Sequence, residues 1–378
     1  MKQMICIAET TWRNHPGRTQ SLISRLQQVN SLFFEPPVTW LALFLGRSAR
    51  KRLKAHREAG RHVLPGLTVY SLPPILPFGH SFSLINKRNQ RKLARYIRKK
   101  MTQHAFSSPI LWVATEAGAG LPSLLSCRNV IYDSITPTPG NLLSEQEKSL
   151  LQDADLVFAP TPDMVEQLSF VHSNVALLPN GVDYELFAQP SSDEASDLPI
   201  SASFSIPRPI LGCTEPIRPE TDLLPIACAA RARPDWSFLF LGPGTSRAVQ
   251  RLQKFPNVHF LHPHSQEIMA RYVRRFDVCL SLQTPLSSPQ DPLALRILEY
   301  LSTGQPIVAC LYPNEIEYFP DVVYSSYNPQ EFISLCARAL DEQTTWFAQR
   351  RRAYGSAADW NVRVAEIVRL MEINGMLS

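Results

Sequence analysis

The sequence predicts an α/β protein of two doubly wound domains, each a parallel sheet covered by helices. Short apolar runs alternate with amphipathic segments along most of the chain, the pattern of parallel strands joined by crossover helices. The alternation pauses at residues 189–209 (QPSSDEASDLPISASFSIPRP), rich in Ser, Pro and acid, and then restarts. The 378 residues suffice for two domains of ordinary size. The expected division is a first domain over 1–178 and a second over 179–354, with 189–209 as a linker-like loop. A terminal helix over about 355–378 has no strand after it, so it is expected to pack on something already built.

In the first half, Met4–Ala8 reads as a strand. Pro16-Gly17 turns into a helix over Arg18–Val29, whose apolar Leu22, Ile23, Leu26 and Val29 recur at helical spacing. Further strands are expected at Thr68–Leu72, Ile110–Ala114, Val130–Tyr132, Leu156–Ala159 and Val175–Leu178. Helix Glu145–Gln152 opens with the capping box Ser144-x-x-Glu147. Thr161-Pro162 is an N-cap followed by proline at the first helical position. The second half repeats the rhythm with strands at Ile210–Cys213, Phe238–Leu241, Val258–Leu261, Val278–Leu282, Ile307–Cys310 and Val322–Tyr324. Val362–Met371 carries the apolar period of the terminal helix.

Composition excludes several classes. Hydrophobic residues make up 44% and charged residues 19%, which is globular rather than disordered. No apolar run approaches the roughly 20 residues of a membrane span; Val38–Leu45 is the longest. Glu9 interrupts any signal-peptide core, so the chain is expected to stay in the cytosol. Seven cysteines without a C-x-x-C pair fit no disulfide framework, and Cys6, Cys213, Cys279 and Cys310 read as small buried hydrophobes. His259, His262 and His264 have no Cys or carboxylate at ligand spacing, so no metal site is expected.

Charge is segregated. Residues 1–104 hold 19 Lys/Arg and three acids (Glu9, Glu35, Glu58), a balance of +16; the remainder holds 19 and 30, a balance of −11. One basic stretch is Arg47–Arg61. In the other, Lys87, Arg88, Arg91, Lys92, Arg95, Arg98 and Lys99 fall within an arc of about 140° on a helix. Leu93, Ile97 and Met101 lie opposite. This basic helix is either a solvated face or a contact to an anionic cytosolic leaflet. Nucleic acid is the weaker partner, because no reader motif accompanies the charge.

In open parallel sheets, ligands bind beyond the carboxyl ends of the strands, and with two such domains the deep site is expected in a cleft between them. Two segments stand out there. Leu178-Pro179-Asn180-Gly181-Val182-Asp183 contains an Asn-Gly turn former tolerant of positive φ. Arg296 to Ala309 reads as a helix, a glycine C-cap at Gly304, a proline and a buried strand. Arg296 and Glu299 share a helix face near its start, where phosphate is favoured and a carboxylate one turn on could accept from ribose hydroxyls. By spacing alone they read more readily as a surface ion pair.

These segments carry a resemblance. Asn180-Gly181-Val182-Asp183 with Phe187, then Glu299-Tyr300-Leu301 with Gly304 and Pro306-Ile307-Val308-Ala309, resemble GT-B glycosyltransferases of the retaining family 4/family 1 group, in particular its teichuronic-acid branch. Val130-Ile131-Tyr132-Asp133, Ala154–Phe158, Arg233–Phe238, Leu241-Gly242-Pro243 and Phe276–Cys279 extend the likeness over roughly residues 110–310. The resemblance implies two Rossmann-like domains facing across a cleft, a terminal helix that crosses back to the first domain, and transfer of a sugar from a nucleotide-sugar with retention. It implies that Glu299 holds the donor ribose and that Arg296 and Arg218 meet the diphosphate, with no metal or other cofactor. Gly212, Gly242, Asn180 and Tyr300 would line the donor side. Trp12, Pro16, Gly17, Arg18 and Gln20 resemble the branch's N-terminal W…QRPQ element and, with Asp133, would face the acceptor, a glycan or lipid-linked molecule at the membrane. Three departures stand against full equivalence. Ser134–Thr138 replaces a second acidic cluster, Glu215 follows β-strand residue Cys213 where a glycine is usual, and Asp291-Pro292 is displaced from Glu299. The alternative is therefore a catalytically silent GT-B-like binding or scaffold protein; a sugar-nucleotide epimerase is a third reading.

Overall fold

The computed structural model describes residues 2–13, 16–44, 46–79, 81–135, 143–189, 206–215, 217, 221–242, 247–261, 265–282, 295–309, 319, 321–326, 328–342 and 344–377. Arg218, His262, His264, Asp291, Cys310, the segment 136–138 and most of the loop 189–209 lie outside them. The chain divides into two compact units, Met1–Pro179 with Arg363–Ser378, and Asn180–Val362.

The first unit runs β1 (Lys2–Ile7), α1 (Arg18–Arg25), β2 (Val29–Glu35), α2 (Gly46–Ala55), β3 (Arg61–Leu64), β4 (Leu67–Ser71), α3 (Ser83–Gln103), β5 (Ile110–Val113), β6 (Val130–Asp133), α4 (Glu145–Asp153), β7 (Leu156–Ala159), α5 (Pro162–Ser169) and β8 (Val175–Leu177). Its eight strands lie in the order β3-β4-β2-β1-β5-β6-β7-β8. Only β3 is antiparallel, on β4 at the edge. The strand order reverses between β1 and β5, which places the ligand-binding crevice of such a sheet beyond their carboxyl ends.

Strands buried on both faces read as continuous apolar runs, and β5, β6 and β7 are buried throughout. The caps form as their residues dictate: Ser144 Oγ accepts from Glu147 N at 3.0 Å and Thr161 Oγ1 from Met164 N at 3.3 Å. Helix α1 is shorter than its apolar period suggested. It ends at Arg25, and Val29 begins β2 instead. The apolar run Val38–Leu45 contributes a single 3-10 turn, Trp40–Phe44.

The second unit runs α6 (Tyr184–Ala188), β9 (Ile210–Cys213), α7 (Leu224–Ala232), β10 (Ser237–Leu241), α8 (Arg247–Leu252), β11 (Val258–Leu261), α9 (Gln266–Val273), β12 (Val278–Ser281), α10 (Leu295–Thr303), β13 (Ile307–Ala309) and β14 (Val323–Ser325), then helices Pro329–Leu340 and Thr345–Ala357. All six strands are parallel, in the order β11-β10-β9-β12-β13-β14, and the order reverses between β9 and β12. Apolar side chains pack on both faces: Phe276, Tyr300 and Leu301 on one, Trp236, Phe238 and Phe332 on the other.

The last helix, Trp360–Ile373, begins in the second unit and ends in the first. In the first unit Asn174 donates to Asn374 Oδ1 at 2.8 Å, and Ile367, Met371 and Met376 are fully buried. Among the described residues no helix is long and apolar enough to cross a membrane.

Candidate functional site

In the second unit the loops leaving β9 and β12 are bound to each other. Thr214, just after β9, donates its N–H to the Tyr300 hydroxyl at 2.8 Å, and its side-chain oxygen lies 2.9 Å from that hydroxyl. Glu215 follows. Its Oε1 accepts from Ser281 Oγ, and its Oε2 accepts from Leu282 N at 2.8 Å. One carboxylate thus bridges the two strand ends that flank the reversal of strand order.

Helix α10 brings Arg296 and Glu299 to the same end of the sheet. Arg296 Nη1 donates to both Glu299 oxygens, at 2.9 and 2.7 Å, and lies 3.2 Å from Met269 Sδ. The Arg296 side chain is about 24% exposed and that of Glu299 7%. Burial works against the guanidinium's charge, but Glu299, with Tyr300 and Glu215 adding to it, raises its pKa above the ordinary arginine value. Arg296 is therefore a permanent cation between two carboxylates. Gly304 ends α10 at φ +80°, as the sequence led one to expect of a C-cap.

Three of the residues singled out in sequence have structural partners. Tyr300 is fully buried with its hydroxyl on Thr214, so it positions the loop after β9. Gly212 lies inside β9, where a Cβ would come within 2.2 Å of the Phe276 ring, so this glycine serves packing. Gly181 does not take the positive φ anticipated for the Asn-Gly turn. It lacks a side chain because a Cβ would sit 2.6 Å from the Trp360 ring and 2.9 Å from Ala358 O. Asn180 is buried beside it. Gly242, just after β10, has nothing among the described residues within 4 Å of an added Cβ.

In the first unit the acceptor-side residues form a buried frame. Arg18, at the start of α1, grips Asp133 at the end of β6: Nη2 to Oδ1 is 2.9 Å, and Nε to Oδ2 is 3.1 Å. Their side chains are 3% and 0% exposed. Gln20 accepts from Arg13 N at 3.0 Å and donates to Arg13 O at 2.9 Å, pinning the loop that follows β1. These three residues hold the loop and helix in place. Gly17 caps α1 with extended backbone, and its Cβ position meets only ordinary contacts. Trp12 is partly exposed, stacks edge-on Phe33 at 5.2 Å, and donates its N–H to Glu35 Oε1 at 3.2 Å.

Three further carboxylates have no site role by sequence: Glu9 two positions after β1, Glu35 the last residue of β2, and Glu147 in the first turn of α4. Glu9 follows β1 and accepts from Thr19 Oγ1 at 2.6 Å; burial first, then the nearby Asp133, raises its pKa against the opposing hydrogen bond and Arg18. Glu35 ends β2 and receives Arg61, Ser71 and Trp12. Glu147 accepts from Tyr132 and Ser134, each at 3.1 Å. The signal was present: an acid at the carboxyl end of a buried strand lies where ligands bind.

The chain matches solved structures over nearly its whole length. A trehalose-phosphate synthase (UDP-forming) from Burkholderia vietnamiensis superposes with a TM-score of 0.70 at 15% identity, covering 98% of this chain and 96% of that one. HepE of Anabaena, solved in complex with UDP-glucose, superposes at 0.67 with 14% identity, covering 98% and 100%. The fold is GT-B. In GT-B terms, the Arg296–Glu299 pair and the Glu215 bridge belong to the second Rossmann-like domain, and the Arg18–Asp133 frame to the first. A Bacillus subtilis (strain 168) protein assigned as the teichuronic acid biosynthesis glycosyltransferase TuaH is 27% identical over 284 residues, 68% of this chain and 70% of that protein. The E. coli trehalose-6-phosphate enzyme solved with UDP-2-fluoroglucose also shares the GT-B fold, with a TM-score of 0.66 at 15% identity. No family model matches the sequence.

Proposed function

We propose that the protein is a glycosyltransferase that moves a hexose from a nucleotide-sugar, with UDP as the base-bearing half, to an acceptor hydroxyl with retention at the anomeric carbon. The observation that carries this reading is the Arg296–Glu299 pair on the first turn of α10, beside the reversal point of the second sheet. The TuaH relative and the UDP-bound GT-B neighbours support the same donor class. Glu299 is the acceptor for ribose hydroxyls. Arg296, freed from Glu299 as the ribose takes its place, meets the diphosphate together with Arg218. In the reaction the bond from the anomeric carbon to the β-phosphate oxygen breaks. The acceptor oxygen bonds to that carbon, and its proton leaves with the departing phosphate. A preformed cation at the leaving group acts where charge develops. The strongly basic first 104 residues suit an anionic or lipid-linked acceptor.

A thermal-shift series with UDP, GDP, ADP, dTDP and their sugars tests the reading. A ligand near 100 times its Kd stabilises the folded state by about 2.7 kcal/mol. UDP should raise the melting temperature, and Glu299→Ala, which also lowers the ligand-free value by leaving Arg296 unpaired, should abolish the rise. One observation favours a second reading, a silent binding protein: the Glu215 carboxylate stands at the reversal point, where a diphosphate would approach. No shift with any nucleotide would establish that second reading instead.

A further inference from the structure

Large apolar side chains crowd one part of the first unit. Of the fifteen that are exposed among the described residues, eight lie between residues 40 and 84, and Phe44 and Leu84 are about four-fifths exposed. Hydrogen bonds gather this segment onto α3. Trp40 N donates to Ile75 O at 3.2 Å, Ile75 N to Val38 O at 2.9 Å, and Asn89 of α3 bonds Leu76 N and O, both at 2.9 Å. Lys92 reaches Pro74 O, and its ammonium stands 5.7 Å from the Trp40 ring. Phe78 has φ +62° and is more than half exposed, so burial does not explain a conformation that is rare for a bulky residue. Leu84 lies seven residues before Arg91 and thus within about 20° of it around the helix, on the cationic side.

That side carries Lys87, Arg88, Arg91, Lys92, Arg95, Arg98 and Lys99, all exposed, and among the described residues none of them forms an ion pair. Helix α2 adds exposed Lys51 and Lys54, and the turn after it is tied to α3 by Tyr96, whose hydroxyl donates to His56 O at 2.9 Å. We infer that this face docks on an anionic lipid bilayer, with the cations of α3 against headgroups and Phe44, Phe82 and Leu84 entering the interfacial layer. Unpaired like charges beside exposed aromatic and leucine side chains match the two layers of a membrane surface. A protein partner fits less well, because the core of a protein interface is depleted of charged residues and this face carries seven charges of one sign. The inference concerns the first unit alone and is independent of whether a sugar is transferred.

The test is flotation of the full chain with phosphatidylglycerol–phosphatidylcholine vesicles and with pure phosphatidylcholine vesicles, each at low and high salt. Wild type should bind the anionic vesicles at least tenfold better than the neutral ones, and lose that binding at about 0.5 M salt. Arg88→Glu with Arg91→Glu and Arg95→Glu should abolish it. Phe44→Ser with Phe82→Ser and Leu84→Ser should weaken it about tenfold or more while leaving its salt dependence in place. Circular dichroism melting confirms that both variants fold, as substitutions of exposed side chains should. Equal binding to neutral vesicles overturns the proposal. So does unchanged binding by the triple-serine variant, or a single-stranded oligonucleotide that binds more tightly than the vesicles and ignores those serines.

Discussion

At the residue scale, the Arg18–Asp133 pair shows a motif whose members have a structural duty that the sequence pattern does not display. Both side chains are buried, and each satisfies the other. Breaking a buried pair leaves one charge without a partner, which costs about 3–5 kcal/mol. Asp133→Asn should therefore lower the unfolding free energy by that order in a denaturant titration; a loss below about 1 kcal/mol would contradict the frame role. Glu9 makes the opposite prediction. Its pKa is raised in the folded protein, mainly by burial, from its ordinary value of 4.5. The folded state thus holds this proton more firmly than the unfolded state does. That contribution is complete below pH 4.5 and is lost as pH rises through the raised value. Glu9→Gln escapes the loss and still offers Thr19 an oxygen. It should be more stable than wild type near neutral pH, with the difference closing as the pH falls through the raised value and gone below 4.5, read from melting temperatures across the range. Neither role was visible in the sequence, because periodicity reports which face is buried and not which partner a buried polar group finds.

At the element scale, strands with continuous apolar runs were legible to within a residue or so: β5, β6, β7, β9 and β11 lie where the hydrophobic pattern put them. Strand β2 was not. Asn30 and Ser31 interrupt its apolar run, and Val29 falls in register with the helix before it, so the local pattern favoured helix until the sheet claimed the residue. Strand β3, an exposed antiparallel edge, has no apolar face to announce it. The glycines divide in the same manner. Gly212, inside β9, and Gly242, just after β10, were both read as donor-side glycines, yet only Gly212 is pressed by a ring. Gly212→Ala should cost about 1–3 kcal/mol through overpacking against Phe276. Gly242→Ala should leave the melting temperature unchanged, since its Cβ meets nothing among the described residues. If Gly242 borders the donor, the same substitution should weaken the thermal shift produced by UDP. A destabilised Gly242→Ala protein would place that glycine with the packing group instead.

At the scale of the whole molecule, the doubly wound architecture was the most legible feature, because it depends on the alternation of elements rather than on any one boundary. The course of the last helix was less so. Its apolar period showed that it must be buried, but periodicity carries no information about which sheet receives it. Trp360 packs on Gly181 within the second unit, while Arg363–Ser378 belongs to the first, so one continuous helix serves two cores. The final segment supplies the first unit with Ile367, Met371 and Met376, none of them exposed, and with the Asn374 amide held by Asn174. Burying a large apolar side chain contributes about 1.5–3 kcal/mol, so the three together contribute roughly 5 kcal/mol or more. That is a large share of the 5–15 kcal/mol typical of a domain. A chain ending at Val362 should therefore lose stability in its first unit, although every strand of that unit lies nearly two hundred residues or more earlier. The second unit, which keeps Gly181, Trp360 and all six of its strands, should unfold near its original midpoint. Limited proteolysis during a denaturant titration reads both at once, and equal loss in the two units would show instead that the helix couples them into one cooperative body.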